Sequence, residues 1–175
     1  MAVNYPRGSG KTVSASEYSP ELELVPTPDK RVARRNNQIE WGEQCTYFDQ
    51  VNTRLCAKQR SLGIFAALPE FPGADMIYAV PNSNVAGEAV GKKLVLSGLR
   101  RGYPDINVDV PRIERGYHYH GLRIELKQPQ GVMSDVGDHQ QHWHEKLRDQ
   151  GYRVCVCFGW REAWAVTCEY LGWKE

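Results

Sequence analysis

Within the stretch GLRIELKQ, residues 121–128, a carboxylate and an ammonium stand two residues apart inside an apolar run. In an extended chain side chains alternate faces, so Glu125 and Lys127 share one face while Leu122, Ile124 and Leu126 share the other. A same-face ion pair on a surface strand accounts for this pattern and contributes little. A second account brings in Asp105, near the start of the stretch PDINVDV at 104–110. If the two stretches pair as antiparallel strands, the start of the first lies opposite the end of the second, and three charged groups meet at one sheet end. Two carboxylates side by side repel, and an oxygen-loving divalent cation is the usual means of keeping both ionised. Asp105 and Glu125 are therefore candidate ligands for Mg²⁺ or Mn²⁺. Lys127 is a candidate for orienting an attacking water or stabilising charge on a phosphate.

The elements that must position these groups follow from periodicity. Ile39, Cys45, Phe48, Val51 and Leu55 fall at helical spacing and predict a helix over 36–60, with Asn36 as a cap candidate. DMIYAV (75–80) reads as a short strand closed by the turn signal PNSN. A short helix with a loop is expected over 85–102, then the two strands 104–110 and 121–126, joined by a turn or longer hairpin loop. A helix over 138–150 stopped by Gly151, a strand over 152–158 and a helix over 161–171 complete the chain. The class expected is mixed α/β or α+β, with a central sheet of about four strands carrying helices on its faces.

Composition narrows the field. The chain has 175 residues, 41% apolar and 25% charged. That suits one domain with a tail. No apolar run approaches the ~20 residues of a membrane span, and the first residues carry no export signal, so a soluble, intracellular protein is expected. Residues 1–37 are rich in Pro, Ser and charge and are expected to be a poorly ordered or surface-draped extension. GSGKT at 8–12 lacks the preceding glycine and strand of a phosphate-binding loop. The five cysteines include no C-x-x-C pair, and Cys155 and Cys157 are expected as buried small hydrophobes. The five histidines, clustered at 118–144 without zinc spacing, are expected on the surface or in loops. Trp143, Trp160 and Trp164 are expected to pack rather than stack on bases. A net charge of +1 conceals basic patches at 29–35, 91–93 and 99–101. Lys92, Lys93, Arg100 and Arg101 are candidate phosphate contacts.

YPDI followed by IELK matches the PD-(D/E)xK nuclease signature, which is short and degenerate. Its surroundings are more specific. SGLRRGYPDI, YHGLRIELKQPQG and DHQQHWHEKLRDQGYRVCVCFGWREAWAVTCEYL, with VPNSN upstream, closely resemble the phage and prophage branch of the virus-type replication-repair nuclease (VRR-NUC) family over residues 37–171. The resemblance implies an αβββαβ core over 38–175 and Mg²⁺- or Mn²⁺-dependent hydrolysis of DNA phosphodiesters. It also implies selectivity for branched, flap or junction DNA. It assigns metal binding to Asp105, Glu125 and the Leu126 backbone carbonyl, catalysis to Lys127, and positioning to Gln140. The family's E-x-x-x-Q pattern falls on EWGEQ and favours Glu40 over Glu43 as a further acidic member of the site. One departure is the segment GVMSDVGDHQ, a few residues longer than the family's usual loop before the Gln. A homodimer is expected, because symmetric branched DNA calls for two sites. The implied compartment is the cytoplasm of a bacterial host. The rival accounts are an exonuclease and a non-catalytic DNA-binding module on the same fold.

Overall fold

The computed structural model describes residues 30–59, 64–80 and 88–174. The tail before Lys30, with GSGKT, and the turn signal PNSN lie outside the described residues.

Helix α1 (Lys30–Asn52) begins ahead of the Asn36 cap candidate and ends before Leu55. Leu55 instead enters strand β1 (Leu55–Gln59), which pairs antiparallel with β2 (Ile64–Ala67), a hairpin the helical spacing had concealed. Thr53 ends the helix by turning its hydroxyl back onto the Gln50 carbonyl at 2.8 Å. The chain continues through β3 (Ile77–Ala79), α2 (Glu88–Leu96), β4 (Ile106–Val108), a small hairpin of β5 (Arg112–Glu114) and β6 (Tyr117–Tyr119), and β7 (Leu122–Lys127). It closes with α3 (Asp138–Asp149), β8 (Arg153–Phe158) and α4 (Trp160–Leu171).

The central sheet has four strands in the order β3-β4-β7-β8. Ile106 pairs with Ile124 in the antiparallel β4–β7 ladder, and β8 runs parallel to β7 with Glu125 beside Val156. The return from β7 to a parallel neighbour needs a crossover, which α3 supplies. Taken in order, α1, β3, β4, β7, α3 and β8 form an αβββαβ core, with α2, two hairpins and α4 added to it.

All six residues of β7 are buried. The strand is therefore not a surface strand with an open charged face: both of its faces are covered. Leu122 and Ile124, at 0% exposure, and Leu126 face a cluster built from Tyr47, Val51, Trp164, Cys168 and Leu171 of α1 and α4. Burying each such side chain contributes about 1.5–3 kcal/mol. The Tyr47 hydroxyl, deep in that layer, shares a 2.8 Å hydrogen bond with Thr167 and so leaves no unpaired group there. Cys157 lies fully inside and Cys155 partly so, as small hydrophobes. On the opposite face of β7 lie Arg123, Glu125 and Lys127, and α3 contacts two of them. A charged row under a helix is costly unless its members are paired.

Candidate metal and catalytic site

The β4–β7 register sets Asp105, one residue before β4, across from Glu125. Asp105 Oδ2 accepts a 2.9 Å hydrogen bond from the Leu126 backbone N–H. A strand residue points its N–H and C=O to the same side, so the Leu126 carbonyl also faces the Asp105 side of β7. Asp105 is 8% exposed and Glu125 1%. Burial first, and the charge of Glu125 second, push the Asp105 carboxyl well above the usual carboxylate range, against the Leu126 amide and Lys127, which lower it.

Lys127 stands two residues further along the same face. Its Nζ lies 3.0 Å from Glu125 Oε1 and donates to Gln140 Oε1 at 3.2 Å. Gln140 closes the triangle by donating from Nε2 to Glu125 Oε1. The same Gln140 Oε1 also accepts from the Gly137 backbone N–H at 3.0 Å, which ties the side chain to the start of its own helix. The loop before α3 carries a 3₁₀ turn, Met133–Asp135, held by Asp135 Oδ2 accepting from the Val132 N–H at 2.8 Å.

The loop bearing Asp105 is docked onto the same helix. Gly102 has φ +81°, and a Cβ there would lie 2.6 Å from the His139 carbonyl carbon, so only glycine allows this approach. Trp143 Nε1 donates to the Arg101 carbonyl at 3.0 Å, and its ring meets Tyr103 edge-on at 5.2 Å. Trp143 thus packs between elements, as Trp164 does in the core.

Compared with solved structures, the chain is similar to a protein described as a VRR_NUC domain protein. The TM-score is 0.53 and the identity 26%, over 78% of this chain and 91% of that one. That likeness, with the four-stranded mixed sheet flanked by helices, fits a PD-(D/E)xK-like fold. No family model and no curated protein matches the chain.

The two acidic candidates on α1 separate. Glu43 Oε2 accepts from the Trp160 backbone N–H at 2.8 Å, where a carboxylate satisfies an orphan donor and the dipole at the start of α4. Glu40 instead lies within electrostatic reach of Lys127, Glu125 and Asp105. Burial is the largest influence on Glu40 and raises its pKa, Lys127 and the Gln128 amide lower it, and Glu125 and Asp135 raise it further. Lys92, Lys93, Arg100 and Arg101 are all exposed. The last two sit on the loop that runs into Asp105.

One histidine departs from the surface expectation. His144, on α3, is 3% exposed, and its Nε2 lies 3.7 Å from Glu125 Oε2. Among the described residues neither atom has a hydrogen-bond partner. The signal in the sequence is slight: His144 stands three residues before Leu147, the other buried residue of a helix made mostly of polar residues.

The residues present fit a hard divalent cation. Glu125 Oε1 already receives two donors, which fills its lone pairs, while Oε2 receives none. Two carboxylates and a carbonyl are the oxygen donors that Mg²⁺ and Mn²⁺ prefer. Among the described residues no three His, Cys, Asp or Glu side chains gather closely enough to form a complete cage. Mg²⁺ is commonly held by one or two carboxylates with water and substrate phosphate, so an incomplete cage agrees with such a site. No described helix is long and apolar enough to cross a membrane.

Proposed function

We propose that this chain is a metal-dependent DNA endonuclease, selective for branched, flap or junction DNA and of phage or prophage origin. The observation that carries the reading is the convergence of Asp105, Glu125, Lys127 and Gln140 at one end of the β4–β7 ladder, on a nuclease-type fold. Asp105, Glu125 and the Leu126 carbonyl would hold Mg²⁺ or Mn²⁺, with Glu40 as a further acidic member. Lewis acidity at the scissile phosphate and acidification of the attacking water are what that cation supplies when bound.

The chain's own groups do the rest. Glu125 and Gln140 hold the Lys127 ammonium in place, so it meets the attacking water or the growing phosphate charge without reorganising. Gln140, anchored to the first turn of α3, fixes the distance between the Lys127 head and the Glu125 carboxylate. Arg100 and Arg101 would lead the DNA backbone toward Asp105, with Lys92 and Lys93 on α2 extending the path. A homodimer would present two such sites to a symmetric junction.

The test incubates the purified full chain with supercoiled plasmid, flap and four-way junction DNA, in Mg²⁺, Mn²⁺ or EDTA. Internal cleavage of branched DNA that EDTA abolishes is the expected result. Release of mononucleotides from ends would make it an exonuclease. Binding with no cleavage in either cation would make it a non-catalytic module. A monomeric mass in light scattering at working concentration would remove the dimer.

A further inference from the structure

The Glu125 oxygen that carries no hydrogen bond faces a histidine nitrogen that carries none either. Glu125 and His144 are 1% and 3% exposed, so bulk water does not serve these atoms. Their separation of 3.7 Å lies about 0.5 Å beyond an N–H···O hydrogen bond, and a small rotation of either side chain closes it. The two groups belong to different elements, β7 and α3, and the contact is made across the sheet–helix layer.

We propose that His144 is a positioning residue for the cation site: with its proton on Nε2 it donates to Glu125 Oε2 and fixes the rotation of that carboxylate. This role rests on the nuclease reading above. Lys127 and Gln140 both hold Oε1, and a carboxylate held at one oxygen alone still pivots about it. Oε2 is the oxygen with lone pairs to spare, and one donor there leaves room for a cation while ending the pivot. A buried donor that orients a ligating carboxylate has large leverage on metal affinity, because the cation then meets a site already in its bound geometry.

Calorimetric titration of the full-length protein with Mn²⁺ and separately with Mg²⁺, alone and with an uncleavable DNA duplex, tests this in wild type, His144→Leu and His144→Gln. Melting in EDTA reports the fold of each. His144→Leu is expected to weaken both cations alike by roughly ten- to a hundredfold, and His144→Gln, which keeps an N–H donor, to recover most of the loss. If His144→Leu does not fold, His144→Asn, too short to reach Oε2, is expected to show the same weakening. Wild-type affinity in a folded His144→Leu or His144→Asn overturns the proposal while leaving the nuclease reading intact. A loss confined to Mn²⁺ also overturns it, since imidazole suits transition metals over Mg²⁺ and His144 would then be a ligand. A wild type that binds neither cation, with or without DNA, sinks both readings.

Discussion

Glu125 must satisfy Lys127, Gln140 and, in the proposed active state, a cation, with two oxygens that water does not reach. Its pairing with Lys127 is therefore unlike a surface ion pair. Removing one member of a buried pair strands the other, which costs about 3–5 kcal/mol. Lys127→Ala should accordingly lose stability of that order in EDTA, and adding Glu125→Gln should recover most of it. Urea titrations of both single variants and the double one measure this coupling. A loss below about 1 kcal/mol for Lys127→Ala would return the pair to the solvated class. In the nuclease reading the same Lys127→Ala should lower the single-turnover cleavage rate by about 10²–10⁴-fold on branched DNA. The alternation of GLRIELKQ made the shared face of Glu125 and Lys127 legible in the sequence. Their burial was not, because alternation tells which residues share a face and says nothing of what covers it.

At the scale of elements, three decide the site: β4 and β7 through their register, and α3 through its docking. The pairing was legible in outline, since antiparallel strands put Asp105 at the sheet end that carries Glu125; the exact register was not, because the connection between the strands holds a hairpin of its own, β5–β6. The β1–β2 hairpin was not, because Leu55 continued the helical spacing of α1 and only the Thr53 turn breaks it. Nor was the docking of α3, which depends on a glycine in a loop with no sequence marker of its role. Gly102→Ala would push a Cβ to 2.6 Å from the His139 backbone carbon at a φ of +81°, and backbone cannot yield as a flexible side chain can. A destabilisation above about 1 kcal/mol is expected. Gly98 offers the control: its φ is +109°, yet nothing lies within 4 Å of its added Cβ. Gly102→Ala should therefore lower the urea midpoint and the cleavage rate more than Gly98→Ala. Equal effects would mean that the φ alone matters and that the close approach to α3 does not.

For the whole molecule, a net charge of +1 gives no general attraction to nucleic acid, so DNA binding must rest on local patches. Charge removal at Lys92, Lys93, Arg100 and Arg101 should weaken binding of all sequences alike. The slope of log affinity against log salt should fall by about one for each phosphate that is no longer neutralised. Fluorescence anisotropy across a salt series in Ca²⁺ or EDTA reads both, and unchanged slopes would move the DNA path elsewhere. The two sides of the central sheet also differ in kind. α4 buries Ala163, Trp164, Thr167, Cys168, Tyr170 and Leu171, whereas α3 buries only His144 and Leu147 and is otherwise held by hydrogen bonds. Apolar burial resists partial opening, while hydrogen bonds at an edge are readily exchanged for water, so the two helices should differ in local unfolding. In native-state hydrogen exchange the amides of α3 should lose protection through a local opening well below the global unfolding free energy, with those of β7 and α4 exchanging last. The half of the site that Gln140 and His144 supply would then ride on the more easily opened of these two helices, and a cation held by Glu125, the carboxylate both side chains bear on, would slow exchange in α3.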